Sequence, residues 1–94
     1  MRITQEADYA LRIVALLASH DSLVDANTIA DEAGITQRFA LKILRKLAIG
    51  DVVVSQKGAN GGYRLAKSPK EITLKEIIEL IDGDADHQED REYH

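Results

Sequence analysis

ITQRFALKILRKLAIGDVVVSQKGANGGYR, residues 35–64, holds a helical apolar pattern followed by two strand-like runs around a glycine-rich turn. Its first half has the three- and four-residue apolar spacing of a helix, with Phe39, Ala40, Ile43, Leu44 and Leu47 on one side. Thr36 is placed to cap that helix, which the spacing predicts from about Gln37 to Ile49. Arg38, Lys42 and Arg45 stand at i, i+4 and i+7 on another face. Gly50-Asp51 closes the helix. Val52 to Gln56 is a β-branched run that reads as a strand, and Tyr63 to Lys67 returns as a second. Between them lies Lys57-Gly58-Ala59-Asn60-Gly61-Gly62, in which Asn60-Gly61 is a strong hairpin signal because both residues tolerate positive φ. These glycines enter a strand, not a helix, so they do not read as a nucleotide-phosphate loop.

The charge of this region sets it apart. From Thr36 to Lys70 there are eight Lys/Arg and one acid, Asp51, so the segment carries about +7 in a chain whose total is −4. The remaining residues therefore sum to about −11. Like charges at i, i+4 cost a helix a few tenths of a kcal/mol, which a polyanion would offset. The distribution of charge points to a polyanion partner where the net charge does not. The blander alternative is a set of lysines that merely solvates the helix. Leu41, amid the basic stripe, is either an apolar contact for a thymine methyl group or a core residue at the stripe's edge.

Before this stretch, Asp25 caps a short helix over about residues 26–33, whose inward face is Ile29, Ala30 and Ala33. Gly34 suits the left-handed position after it, and Ile35 fills the turn. Two capped helices around such a turn make a helix-turn-helix over about residues 26–49, with the hairpin, or wing, over about 52–67. Upstream, Thr4 caps a first helix with Glu6 and Asp8 in its first turn. Its apolar stripe is Ala7, Ala10, Leu11, Val14, Leu17 and Ala18, with Ile13 and Leu16 as a second flank. So wide a surface suits either a central core helix or one that also faces a partner subunit. Downstream, Thr73-Leu-Lys-Glu76 is a capping box opening a helix through Ile81, with Leu74, Ile77, Ile78 and Ile81 as its stripe. Residues 84–94 hold five acids and one Arg without apolar periodicity and are expected to be a disordered acidic tail.

Composition narrows the function classes. Ninety-four residues with 45 % hydrophobic content make one small domain, residues 1–83, mainly α with a small β-hairpin. With no Trp and one Phe, the core must be aliphatic. No apolar run reaches membrane-spanning length and the N-terminus lacks a signal-peptide core, so no membrane is expected and the location expected is cytoplasmic. The absence of Cys removes disulfides, thiolate nucleophiles and cysteine-held clusters from this chain. His20, His87 and His94 are scattered and no catalytic grouping stands out, so neither an enzyme nor a cofactor is expected. His87 and His94 among the tail acids read more simply as incidental than as metal ligands.

The order helix, helix-turn-helix, hairpin, helix resembles the Rrf-two family of bacterial winged-helix regulators, which includes the iron–sulfur cluster regulator and a nitric-oxide-sensing repressor. The resemblance lies in MRITQEADYALRIVALLA, the Ala-Asp-Glu-Ala-Gly-Ile turn, FALKILRKL, the wing GANGGYRLA and ITLKEIIELIDG, together covering about residues 1–83. It implies a sequence-specific transcription factor, acting as a homodimer on a pseudo-palindrome of double-stranded DNA. It further implies that Gln37, Arg38, Leu41 and Lys42 meet base edges in the major groove, with Arg45 on the same stripe. Lys57 would enter the minor groove, in a wing contact over 57–63 that includes Asn60 and Tyr63, while Thr36 and the backbone around Gly61 would contact phosphate. Many members carry three cysteines just after the segment ending here at Asp82-Gly83, and this chain has none. Members also continue into a long pairing helix, so dimerisation here rests on the N-terminal helix and the residues beyond Gly83. The alternative is a winged-helix module that binds protein, which the acidic tail favours because it could fold against the basic face.

Overall fold

The computed structural model describes residues 3–83. The expected tail over residues 84–94 lies outside that range. Three helices come first: α1, Gln5–Ala18; α2, Ala26–Ala33; and α3, Gln37–Ile49. The hairpin strands are β1, Val53–Gln56, and β2, Gly62–Leu65. A 3-10 turn over Pro69–Glu71 leads to α4, Leu74–Ile78, which a π-helical turn, Glu79–Gly83, extends.

Side-chain caps fix where each helix begins. Thr4, Asp25, Thr36 and Thr73 accept the backbone N–H three residues on, from Ala7, Thr28, Phe39 and Glu76. Each bond satisfies one of the amides a helix start leaves unpaired. Gly34 takes φ 76° and ends α2 through its N–H to the Ala30 and Asp31 carbonyls. The turn to α3 is therefore set by local chemistry, and α2 and α3 fall where the periodicity puts them. At the end of α3 the left-handed residue is Asp51, φ 61°, and not Gly50. Gly50 packs close to the extension of α4: a Cβ there would meet the Leu80 side chain, which would have to turn aside.

The core is aliphatic throughout. Ile13, Ile29, Ile43, Leu44, Leu47, Val52, Ile77 and Ile81 are fully enclosed, and no polar side chain is buried among the described residues. The buried line of α1 is Ala7, Ala10, Ile13 and Leu17. Ile13 is thus central, whereas Leu11 and Val14 are half-buried and Ala18 is exposed, a shift from the stripe expected. Several apolar registers fit one helix equally well, and packing against α2, α3 and α4 selects among them. Leu74 is likewise half-exposed and lies outside the α4 core line.

The two strands pair antiparallel, Val53 with Leu65 and Ser55 with Tyr63. A third short element completes the sheet: Val24 and Tyr63 exchange two backbone hydrogen bonds of 2.9 Å. This bridge pins the hairpin to the segment before α2. The wing turn differs from the Asn60-Gly61 type expected. Positive φ falls at Gly58 and Gly62, and the Gly61 N–H closes a turn onto the Gly58 carbonyl at 3.0 Å. The loop from Lys57 to Gly61 is too long for a two-residue turn and is closed inside itself.

Candidate nucleic-acid interface

Three open grooves run across one face of the molecule and share their walls. Arg38, Leu41, Lys42, Arg45 and Lys46 line the first, along α3. Leu41, Leu44, Arg45, Ala48, Ser55 and Tyr63 line the second, between α3 and the hairpin. The third passes from Ser55 and Tyr63 along Gln56, Lys57, Gly58 and Gly61 to Asp25 and Ala26 at the start of α2. Leu41 and Arg45 join the first groove to the second; Ser55 and Tyr63 join the second to the third. The helix and the wing therefore form one continuous concave track.

The sequence-derived candidates distribute along it unevenly. Arg38, Leu41, Lys42 and Arg45 stand together, all exposed, and Leu41 is 40 % exposed, more than a core leucine would be. Lys57 and Gly61 sit at the wing end, and Tyr63 is half-buried between wing and helix. Gly61 is packed so closely beneath the Gln56 carbonyl that a Cβ would collide with it. Thr36, Gln37 and Asn60 are exposed but stand outside the three grooves. The Thr36 hydroxyl already accepts the Phe39 N–H at 3.1 Å, and its own proton is still available to an acceptor. Ser55 and Gln56 line the track without having been singled out. Only the pairing of Ser55 with Tyr63, a register fact, brings them there.

The cationic surface is smaller than the local count of eight. Lys67 turns to α4 and bonds Glu76 at 2.7 Å, holding that carboxyl below the ordinary range chiefly through the hydrogen bond it donates. Arg64 lines a groove at the other end of α1, beside Leu17, His20 and Pro69. Lys46 is not simply solvated. It donates to Glu6 at 2.8 Å and to the Ile81 carbonyl at 3.4 Å, tying α3 to α1 and to the π-helical turn. Lys42 stands 3.7 Å from the other oxygen of Glu6. At the far end of the track Asp25 stays anionic, its carboxyl lowered by hydrogen bonds from the Thr28 hydroxyl and N–H. Behind α3, Tyr9 meets Phe39 edge-on with ring centres 5.6 Å apart, and Arg12 lies 4.8 Å over the Tyr9 ring.

This geometry offers exposed cations, one apolar side chain among them, and hydrogen-bonding groups on a curved strip. That combination suits phosphates and base edges. Among the described residues no group of three or more His, Cys, Asp or Glu is placed to hold a metal ion, and no helix is long and apolar enough to cross a membrane.

Comparison with known proteins agrees with this reading. Residues 3–94 match the Rrf2 family, described as "Iron-dependent Transcriptional regulator". The chain is 35 % identical over 86 residues to the HTH-type transcriptional regulator NsrR of Bacillus licheniformis, covering 89 % of this chain and 60 % of that protein. It is 45 % identical over 78 residues to a putative HTH-type transcriptional regulator of Aquifex aeolicus, covering 82 % and 54 %. The chain thus spans little more than half the length of these relatives. Among solved structures, T. potens IscR superposes with a TM-score of 0.81 at 27 % identity, covering 89 % of this chain and 63 % of that one. CymR, the global cysteine regulator of B. subtilis, superposes with a TM-score of 0.79 at 26 % identity, covering 88 % and 66 %. The family description names iron, and iron–sulfur clusters are held by cysteine thiolates. These 94 residues contain no Cys and so do not fit such a cluster. The helix-turn-helix, the hairpin beside it and the match across residues 3–94 lead to one conclusion: the chain belongs to the Rrf2 family, a family of helix-turn-helix transcriptional regulators and not of enzymes.

Proposed function

We propose that this chain reads DNA sequence by seating α3 in the major groove and the wing, residues 57–63, in the flanking minor groove. The observation that carries the reading is the continuous track from Arg38 to Lys57, cationic along α3 and at the wing tip. Phosphate contacts from Thr36, Lys42, Lys57 and the backbone near Gly61 set affinity and register. Gln37, Arg38, Leu41 and Lys42, in the N-terminal half of α3, contact base edges, Leu41 meeting a thymine methyl group, and Lys57 enters the minor groove. Arg45 bridges α3 to the wing. Asn60 and Tyr63 contribute on the wing side.

The chain works as a homodimer on a pseudo-palindrome in the cytoplasm. Half-buried Leu11 and Val14, with exposed Ala15 and Ala18, give α1 an outward apolar strip that supports pairing through this helix. Repression is the output we assign, because occupancy alone obstructs a promoter.

Selection of bound duplexes from a random pool at two salt concentrations tests this. An enriched palindrome supports both sequence reading and pairing. An enriched half-site supports the reading head and refutes pairing by this chain. No enrichment at either salt refutes sequence-specific binding and favours a protein-binding module.

A further inference from the structure

Among the described residues, Glu6 is the acid that pairs with the basic stripe of α3, and it comes from a different helix. Its two oxygens are divided between two lysines one turn apart on α3, Lys46 at 2.8 Å and Lys42 at 3.7 Å. The two lysines are not equivalent. The Lys46 side chain is 26 % exposed and has a second acceptor, the Ile81 carbonyl at 3.4 Å. The Lys42 side chain is 58 % exposed and, among the described residues, has only the longer arm of Glu6. Lys46 is thus committed to the fold. Lys42 is held loosely enough to exchange, since an ion pair at that separation with a mostly exposed lysine is weak.

We propose that Glu6 is a positioning residue for DNA binding, an internal stand-in for phosphate that Lys42 leaves when DNA arrives and Lys46 does not. The proposal rests on the binding mode above, in which α3 faces the duplex. Its consequence is discrimination. While Glu6 occupies the two lysines, the stripe shows DNA less positive charge than its four cations would. A random duplex, which offers phosphates and few base contacts, loses most from that reduction. A cognate site recovers affinity through the base edges met by Gln37, Arg38 and Leu41, none of which pairs with Glu6. The acid thereby suppresses non-specific binding more than specific binding.

The test uses the whole chain with Glu6→Gln, an isosteric change that removes only the charge, on a selected duplex and a random one. Expected are a two- to fivefold tightening on the random duplex, a smaller change on the selected one, and a salt slope steeper by about one as Lys46 also becomes available to phosphate. Equal affinities and slopes for both proteins, with wild type binding normally, would overturn the proposal and leave the binding mode standing. Failure of wild type to bind any duplex would overturn both. Should Glu6→Gln not fold, side-chain nitrogen resonances of the wild-type lysines decide instead. Addition of duplex should shift Lys42 and leave Lys46 in place. A Lys42 signal that does not move, or a Lys46 signal that moves as far, would overturn the exchange.

Discussion

Gly62→Ala is the sharpest test of how the wing is held. At this position a Cβ would lie 2.7 Å from the Val24 carbonyl oxygen and 2.8 Å from its carbon. Both are backbone atoms, so no side-chain rotation relieves the overlap. The strand must withdraw from Val24, and the two hydrogen bonds that Val24 and Tyr63 exchange, each 2.9 Å, open together. Each such bond contributes about 0.5–1.5 kcal/mol net, so their joint loss is about 1–3 kcal/mol. The backbone angle at Gly62, φ 156°, adds strain of about 1 kcal/mol for an L side chain, giving an expected total of roughly 2–4 kcal/mol. For a domain of this size that lowers the melting temperature by roughly 10–30 °C. Gly50→Ala is the internal control. Its Cβ would also collide, but with the Leu80 side chain, which is half-buried and able to swing aside. Thermal unfolding of both variants by circular dichroism should rank Gly62→Ala well below Gly50→Ala. Equal melting temperatures, or a Gly62→Ala loss under about 4 °C, would refute the claim that a rigid backbone bridge anchors the wing.

Arg38→Ala should relax base preference, costing roughly 1–3 kcal/mol on the selected duplex if the guanidinium binds guanine in bidentate fashion; equal losses on selected and random DNA in a binding titration would exclude that role. Thr36→Ala removes the hydroxyl that accepts the Phe39 N–H and should lower stability by about 1 kcal/mol in urea titration. Glu76 has a folded pKa below its ordinary value, so its pair with Lys67 stabilises the fold above the unfolded carboxylate pKa, about 4.3, and that stabilisation fades as pH falls through the folded value. The gap in unfolding free energy between wild type and Lys67→Met should therefore be constant, at under about 1 kcal/mol, above roughly pH 5 and narrow below roughly pH 4; a gap that widens in acid would contradict the assignment.

What was legible in the sequence was what local chemistry decides. Thr36, Asp25 and Gly34 place the two ends of the helix-turn-helix by hydrogen bonds reaching three or four residues, and the observed α2 and α3 obey them. The basic stripe of α3 was legible for the same reason, being a matter of spacing along one helix. The misreadings lie where distant segments decide. Ile13 displaces Leu11 as the core residue because α1 is packed from several sides. Lys46 looks like any surface lysine until Glu6, forty residues away, is beside it. Arg64 and Lys67 add to the local charge but face other elements. Asn60-Gly61 carries a turn signature, yet the longer loop closes through Gly58.

Tyr63 joins the Val24 bridge through its backbone and lines both the helix–wing and the wing-tip grooves. The chain contains no Trp and three Tyr. Phenol emission is therefore its native fluorescence, and one of the three emitters sits inside the proposed contact surface. A duplex that seats beside the wing changes the surroundings of that ring without any attached dye. Subtracting the response of a Tyr63→Phe protein isolates it, so engagement of the wing can be timed separately from engagement of α3.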